Sequence, residues 1–130
     1  MSDKSRGGTG ALEPAVSRCM AGILKEYVGR GPTHARTYMR HNMVVCVMQQ
    51  TLTKAELHVA RDLGSRRVRG SRRDLQDGLR AEACEAVEEL TGRRVISFLS
   101  DHDVDNDFLA TLFVLADEDG DGSPDFHDGG

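Results

Sequence analysis

The sequence predicts a single α+β domain in the order α-β-β-α-α-β-β, an antiparallel four-stranded sheet with helices packed on one face. Three observations predict it. Apolar residues at helical spacing stop at Gly29-Arg30-Gly31-Pro32, where glycine permits a left-handed closing residue and proline forbids continuation. Two pairs of strand-like runs, within 33–48 and 95–115, each fold about a short polar stretch. Between them, Thr53-Lys54-Ala55-Glu56 has the form of a capping box and opens a helical region.

Taken in order, residues 1–11 are polar and glycine-rich without apolar periodicity, and a disordered leader is expected there. Leu12, Val16, Met20, Ile23, Leu24 and Tyr27 recur every three or four residues, so the first helix is expected from residue 12, with Pro14 in its first turn. After the junction, Ala35, Thr37 and Met39 alternate with His34, Arg36, Tyr38 and Arg40, which predicts a strand with one buried and one wet face. His41-Asn42 is expected to turn the chain, Asn42 being the residue that tolerates positive φ, into a continuous apolar strand, 43–48, central in the sheet.

The second helix is expected from Lys54 to Leu63, with Leu52 and Leu57 at hydrophobic-staple positions. Gly64 to Gly70 is compatible with a loop or with a kinked helical link. From Ser71, the residues Leu75, Leu79, Ala83, Val87 and Leu90 form the stripe of a third helix that ends at Gly92. Val95 to Leu99 and Phe108 to Leu115 read as strands joined by a polar turn, 101–107. Strand order does not follow from this pattern. The domain therefore spans 12–116, and residues 117–130 form an acidic, glycine-rich tail expected to be disordered.

At 130 residues, with 38% hydrophobic content and no Trp, the chain has material for one modest core, which a homodimer sharing apolar surface would enlarge. The net charge of −4 is unevenly distributed: residues 95–130 carry no Lys or Arg, so the two parts of the chain attract each other. Cys19, Cys46 and Cys84 lie far apart without a CxxC pair and read as small apolar residues in a reducing, cytoplasmic setting. No apolar run approaches the roughly 18–20 residues of a membrane span, so no direct membrane insertion is expected.

Four features invite chemistry. Asp117, Asp119, Asp121, Asp125 and Asp128, with Gly122, follow calcium-loop spacing, but a strand precedes them and Pro124 replaces the apolar eighth residue; a solvated tail is the expectation. Arg66, Arg67, Arg69, Arg72 and Arg73, within the Arg61–Arg80 basic segment, could grip the phosphates of nucleic acid or of an anionic nucleotide. No aromatic residue is interleaved for base stacking, so a solvated or acid-docking face is expected and nucleic acid is the rival reading. Asp101-His102-Asp103 is the one acid–histidine cluster, without a nucleophile or second ligand beside it, and reads as turn chemistry. Gly29-Arg30-Gly31 lacks phosphate-loop spacing, and no cofactor is expected.

Several blocks in order, namely Gly29-Arg30-Gly31-Pro32, Ala35-Arg36-Thr37-Tyr38, Met43-Val44-Val45, Leu52-Thr53-x-Ala55-Glu56, Glu88-Glu89-Leu90-Thr91-Gly92-Arg93 and Ser100-Asp101-His102-Asp103, resemble the MpsC-like domain family. The resemblance covers about Leu12 to Ala116. It implies a small accessory or regulatory component associated with membrane cation or inorganic-carbon uptake, with a membrane transporter subunit as partner, and it supplies no catalytic residues. The family-like positions are Arg30, Gly31, Pro32, Arg36, Tyr38, Thr53, Glu56 and Asp101. A non-enzymatic binding function is expected, with Arg30, Arg36 and Tyr38 on the wet hairpin face as its contact surface.

Overall fold

The computed structural model describes residues 3–117, and the side chains from residue 11 onward. Helix α1 spans Asp3–Val28, followed by strands β1 (His34–Arg40) and β2 (Met43–Gln49), helices α2 (Lys54–Leu63) and α3 (Ser65–Thr91), and strands β3 (Val95–Asp103) and β4 (Phe108–Leu115). This is the expected α+β order. The strands pair antiparallel in the order β1-β2-β4-β3, so the return strand of each hairpin is central.

α1 begins well before residue 12. Residues 3–11, expected as a disordered leader, are helical, and Pro14 lies inside the helix instead of in its first turn. Extending a formed helix adds one hydrogen bond per residue fixed, whereas nucleation fixes several residues for the first. The apolar stripe therefore carries the helix past its own end. At the other end Gly29 adopts φ 94° and its N–H donates to the Lys25 carbonyl, closing the helix as expected of the junction.

The hairpin turn differs from expectation in which residue is left-handed. His41 takes φ 55°, while Asn42 is buried; its side-chain amide donates to the Leu115 carbonyl and its own carbonyl accepts from the Leu115 N–H. Asn42 thus fastens the first hairpin to the end of β4. α2 carries the complete capping box between Thr53 and Glu56. Leu57 is exposed, and Leu52 packs with Val68 and Val104.

α3 is continuous from Ser65, which resolves the Gly64–Gly70 stretch: Gly64, at φ 103°, separates two helices, and Gly70 lies within the second. Its buried stripe is Val68, Arg72, Gln76, Leu79, Ala83 and Val87, so two polar side chains lie on the core-facing side. β3 runs on to Asp103, leaving Val104 to Asp107 as the turn in place of the longer polar turn expected.

The core joins Val16, Met20, Ile23 and Leu24 of α1 and Leu79, Ala83 and Val87 of α3 to one face of the sheet, contributed by Val44, Cys46, Met48, Phe98, Leu109, Phe113 and Leu115. Phe98 and Phe113 meet edge to face, with the Arg80 guanidinium over Phe98. Across the middle of this face runs the register row Thr37, Cys46, Thr111 and Ser100. Its hydroxyls are satisfied in pairs, Ser17 with Thr37 and Ser100 with Thr111, so the polar row is carried without orphaned oxygens.

Candidate functional site

Two places gather the residues that the sequence singles out: a buried polar cluster under the segment linking β2 to α2, and the sheet face turned away from the helices. The cluster is built around residues 50–53. The Asp107 carboxylate accepts from the N–H and hydroxyl of Thr51 and from the N–H of Leu52, while its backbone carbonyl accepts from Gln50 N–H. From the other side, Arg72 Nη2 donates to the Thr51 carbonyl at 2.6 Å and Arg30 Nη1 to the Leu52 carbonyl at 2.9 Å. Three distant parts of the chain hold one linker.

Glu56 unites this clamp with the helix cap. Its Oε1 accepts from the Thr53 N–H and from Arg72 Nη2, and its Oε2 accepts from Arg72 Nε at 2.7 Å. Burial by itself would raise the Glu56 pKa, but the Arg72 and Thr53 hydrogen bonds and the guanidinium charge hold it below its usual value. Arg72 is 1% exposed, so the expected basic patch loses its central member. Arg66, Arg67, Arg69 and Arg73 do project into solvent on the first half of α3. Five arginines in eight residues suggest a solvated face, yet at 3.6 residues per turn one of them falls on the buried stripe.

Asp101-His102-Asp103 is divided by the strand. Successive side chains of β3 point to opposite faces, so Asp101 and Asp103 are exposed while His102 is buried, 3.0 Å through Nε2 from Asp107 Oδ1. Desolvation, the largest influence, and the Arg72 charge lower the His102 pKa against the opposing pull of Asp107 and Glu56. The imidazole is therefore neutral at pH 7, with its proton on the Nε2 that faces the carboxylate. Arg72 Nη1, Gln76 Nε2 and His102 Nδ1 are buried without a hydrogen-bond partner among the described residues. A groove of about 420 Å³ beside the cluster is lined by Ser65, Arg69, Asp101, His102, Asp103 and Asp105, together with Val104, Phe108 and Ala110. Its charged lining is three carboxylates and one guanidinium, and the Ser65 hydroxyl within it donates to Asp105.

The opposite face of the sheet is apolar. Register places Tyr38, Val45, Leu112 and Leu99 in one row across all four strands, with Tyr38 56% and Leu99 58% exposed. The next row is Arg36, Val47, Ala110 and Asp101, and the one beyond is His34, Gln49, Phe108 and Asp103. A shallow depression of about 340 Å³ lies over Val45, Leu99, Ala110 and Leu112. Basic side chains thus line the β1 edge and acidic ones the β3 edge. Of the expected contact surface, Arg36 and Tyr38 are here; Arg30 is not, because its guanidinium is engaged with the Leu52 carbonyl. Gly31 and Pro32 are half-buried in the junction.

The cysteines are unpaired, and burial raises the pKa of Cys46 and of Cys84, which makes both poor nucleophiles. Among the described residues no group of three His, Cys, Asp or Glu is arranged to hold a metal ion. Of the calcium-like spacing only Asp117 is described; Asp119, Asp121, Asp125 and Asp128 lie outside the described residues. No described helix is long and apolar enough to cross a membrane.

An α+β domain with a linker clamped by Arg30, Arg72 and Asp107, and with an open sheet face, defines a small two-layer module. Residues 8–117 match the family described as Na+-translocating membrane potential-generating system (MpsC), and the chain belongs to that family. It is also similar to the uncharacterized protein YrhF of Bacillus subtilis (strain 168), 30% identical over 95 residues that cover 72% of this chain and 78% of that one. No solved structure matches it significantly.

Proposed function

We propose that the chain is a non-enzymatic accessory or regulatory domain of a membrane system for cation or inorganic-carbon uptake, acting through protein contact at its open sheet face. The observation that carries this reading is the row Tyr38, Val45, Leu112 and Leu99, apolar from edge to edge and uncovered by any described element. A contiguous apolar patch rimmed by charge is the usual mark of a protein contact. The family description adds the setting, a sodium-translocating system that generates membrane potential. The acid–histidine pair supports recognition over turnover, since His102 is buried and its partner Asp107 is engaged by the linker amides.

The test replaces the native gene by variants and follows sodium-dependent membrane potential with a potential-sensitive dye, together with growth limited by bicarbonate. Loss of the chain, and Tyr38→Asp combined with Leu99→Asp, should depress both. A His102→Gln chain that folds should sustain them. Normal potential and growth without the chain would remove the proposal, and so would a folded His102→Gln chain that behaves as the deletion does.

A further inference from the structure

Resting on that reading of the open sheet face, we propose that its occupant is a second copy of this chain, packed face to face about a twofold axis parallel to the strands between β2 and β4. The register itself selects this arrangement. Such an axis lays β1 of one copy over β3 of the other and keeps every row in place. Tyr38 then meets the partner's Leu99, Val45 meets the partner's Leu112, and Arg36 meets the partner's Asp101. His34 falls opposite the partner's Asp103 in the same way.

The alternative twofold, across the strands, lays β1 on β1 and brings Arg36 and Arg40 against the same basic edge of the other copy. Charge therefore decides the orientation while the apolar row supplies the attraction. Asp101 also has Arg73 of its own chain at 3.6 Å, an exposed pair whose contribution is small. Sheets packed in this way stand about 10 Å apart with strands within about 30°, a separation that arginine and aspartate at facing edges can bridge.

Sedimentation velocity over a concentration series tests the proposal on the full chain. The native chain should be a dimer, and Leu112→Asp should be a monomer with an unchanged far-ultraviolet dichroism spectrum. Arg36→Asp and Asp101→Arg should each weaken association by at least about tenfold, and the two together should restore most of it. A native chain that stays monomeric overturns the proposal, as does a Leu112→Asp chain that still dimerises or a charge-exchanged double variant that remains as weak as either single. If removal of residues 117–130 converts a monomer into a dimer, the acidic tail is the occupant instead and the proposal fails. A monomeric native chain whose Leu112→Asp variant cannot support membrane potential would likewise overturn the second copy, while leaving the open face as the working surface.

Discussion

At the scale of single residues, Arg72 bears the largest consequences. Its guanidinium is buried, bonded to both Glu56 oxygens and to the Thr51 carbonyl, so removing it strands a half-buried carboxylate and a buried carbonyl together. Arg72→Met should lower the urea-measured stability by about 3–5 kcal/mol. Adding Glu56→Gln should cost less than the sum of the two single changes, because the second change neutralises the charge that the first leaves unpaired. His102 acts through pH. Because burial disfavours its charged form, the unfolded chain takes up a proton near the ordinary value of 6.5 that the folded chain refuses until lower pH. Its contribution is fully present above 6.5 and is lost as pH falls below it; Glu56, held below its usual 4.5, adds a further loss at more acid pH. Urea midpoints measured from pH 8 to pH 5 should therefore fall below about 6.5 in the native chain and fall less steeply in His102→Gln. The cluster was not legible in the sequence, since Arg72 lies far along the chain from His102 and Asp107, and the short turn joining those two has an ordinary local explanation. Only the Thr53–Glu56 cap could be read, because all its parts lie within four residues.

Among the elements, the glycine junction separates a conformational role from a resemblance. Gly29 and Gly31 both belong to the family-like block, and a Cβ on either would meet nothing within 4 Å. Only Gly29 has positive φ, at 94°. Gly29→Ala should thus cost about 1–2 kcal/mol in thermal or urea unfolding, whereas Gly31→Ala should stay within about 0.5 kcal/mol. Equal losses at both would mean that the junction is held by something other than the helix-closing residue. The seven elements were legible because helical and alternating apolar patterns are local signals, and β1 shows both its wet and its buried set where the alternation places them. The start of α1 was not, since propagation of a helix beyond its apolar stripe leaves no periodic trace. The turn residue was misread because Asn42 has the better intrinsic tolerance of positive φ, yet the end of β4 uses its amide and leaves His41 to take the strained position.

In the molecule as a whole, helices cover one side of the sheet and leave the other to contact, so a face-to-face pair would be a four-layer body with both sheets internal. The exposed Arg66 and Arg67 of α3 would stay outside the pair, available to a further acidic partner, whereas Arg69 and Arg73 stand beside Asp101 at the β3 edge. The open face could have been read in advance from the alternation of β1, but the row across four strands needed the order β1-β2-β4-β3, which no local pattern encodes. Pairing of this kind couples folding to association. If the second copy binds only the folded chain, each tenfold rise in chain concentration adds about 1.4 kcal/mol of apparent stability per dimer once the dimer dominates, and the midpoint of thermal unfolding must climb with it. Calorimetric scans at three concentrations spanning two decades should show that climb in the native chain and a constant midpoint in Leu112→Asp. A native midpoint independent of concentration would mean that the apolar row leaves the copies separate, and that the face contributes only when a different protein meets it.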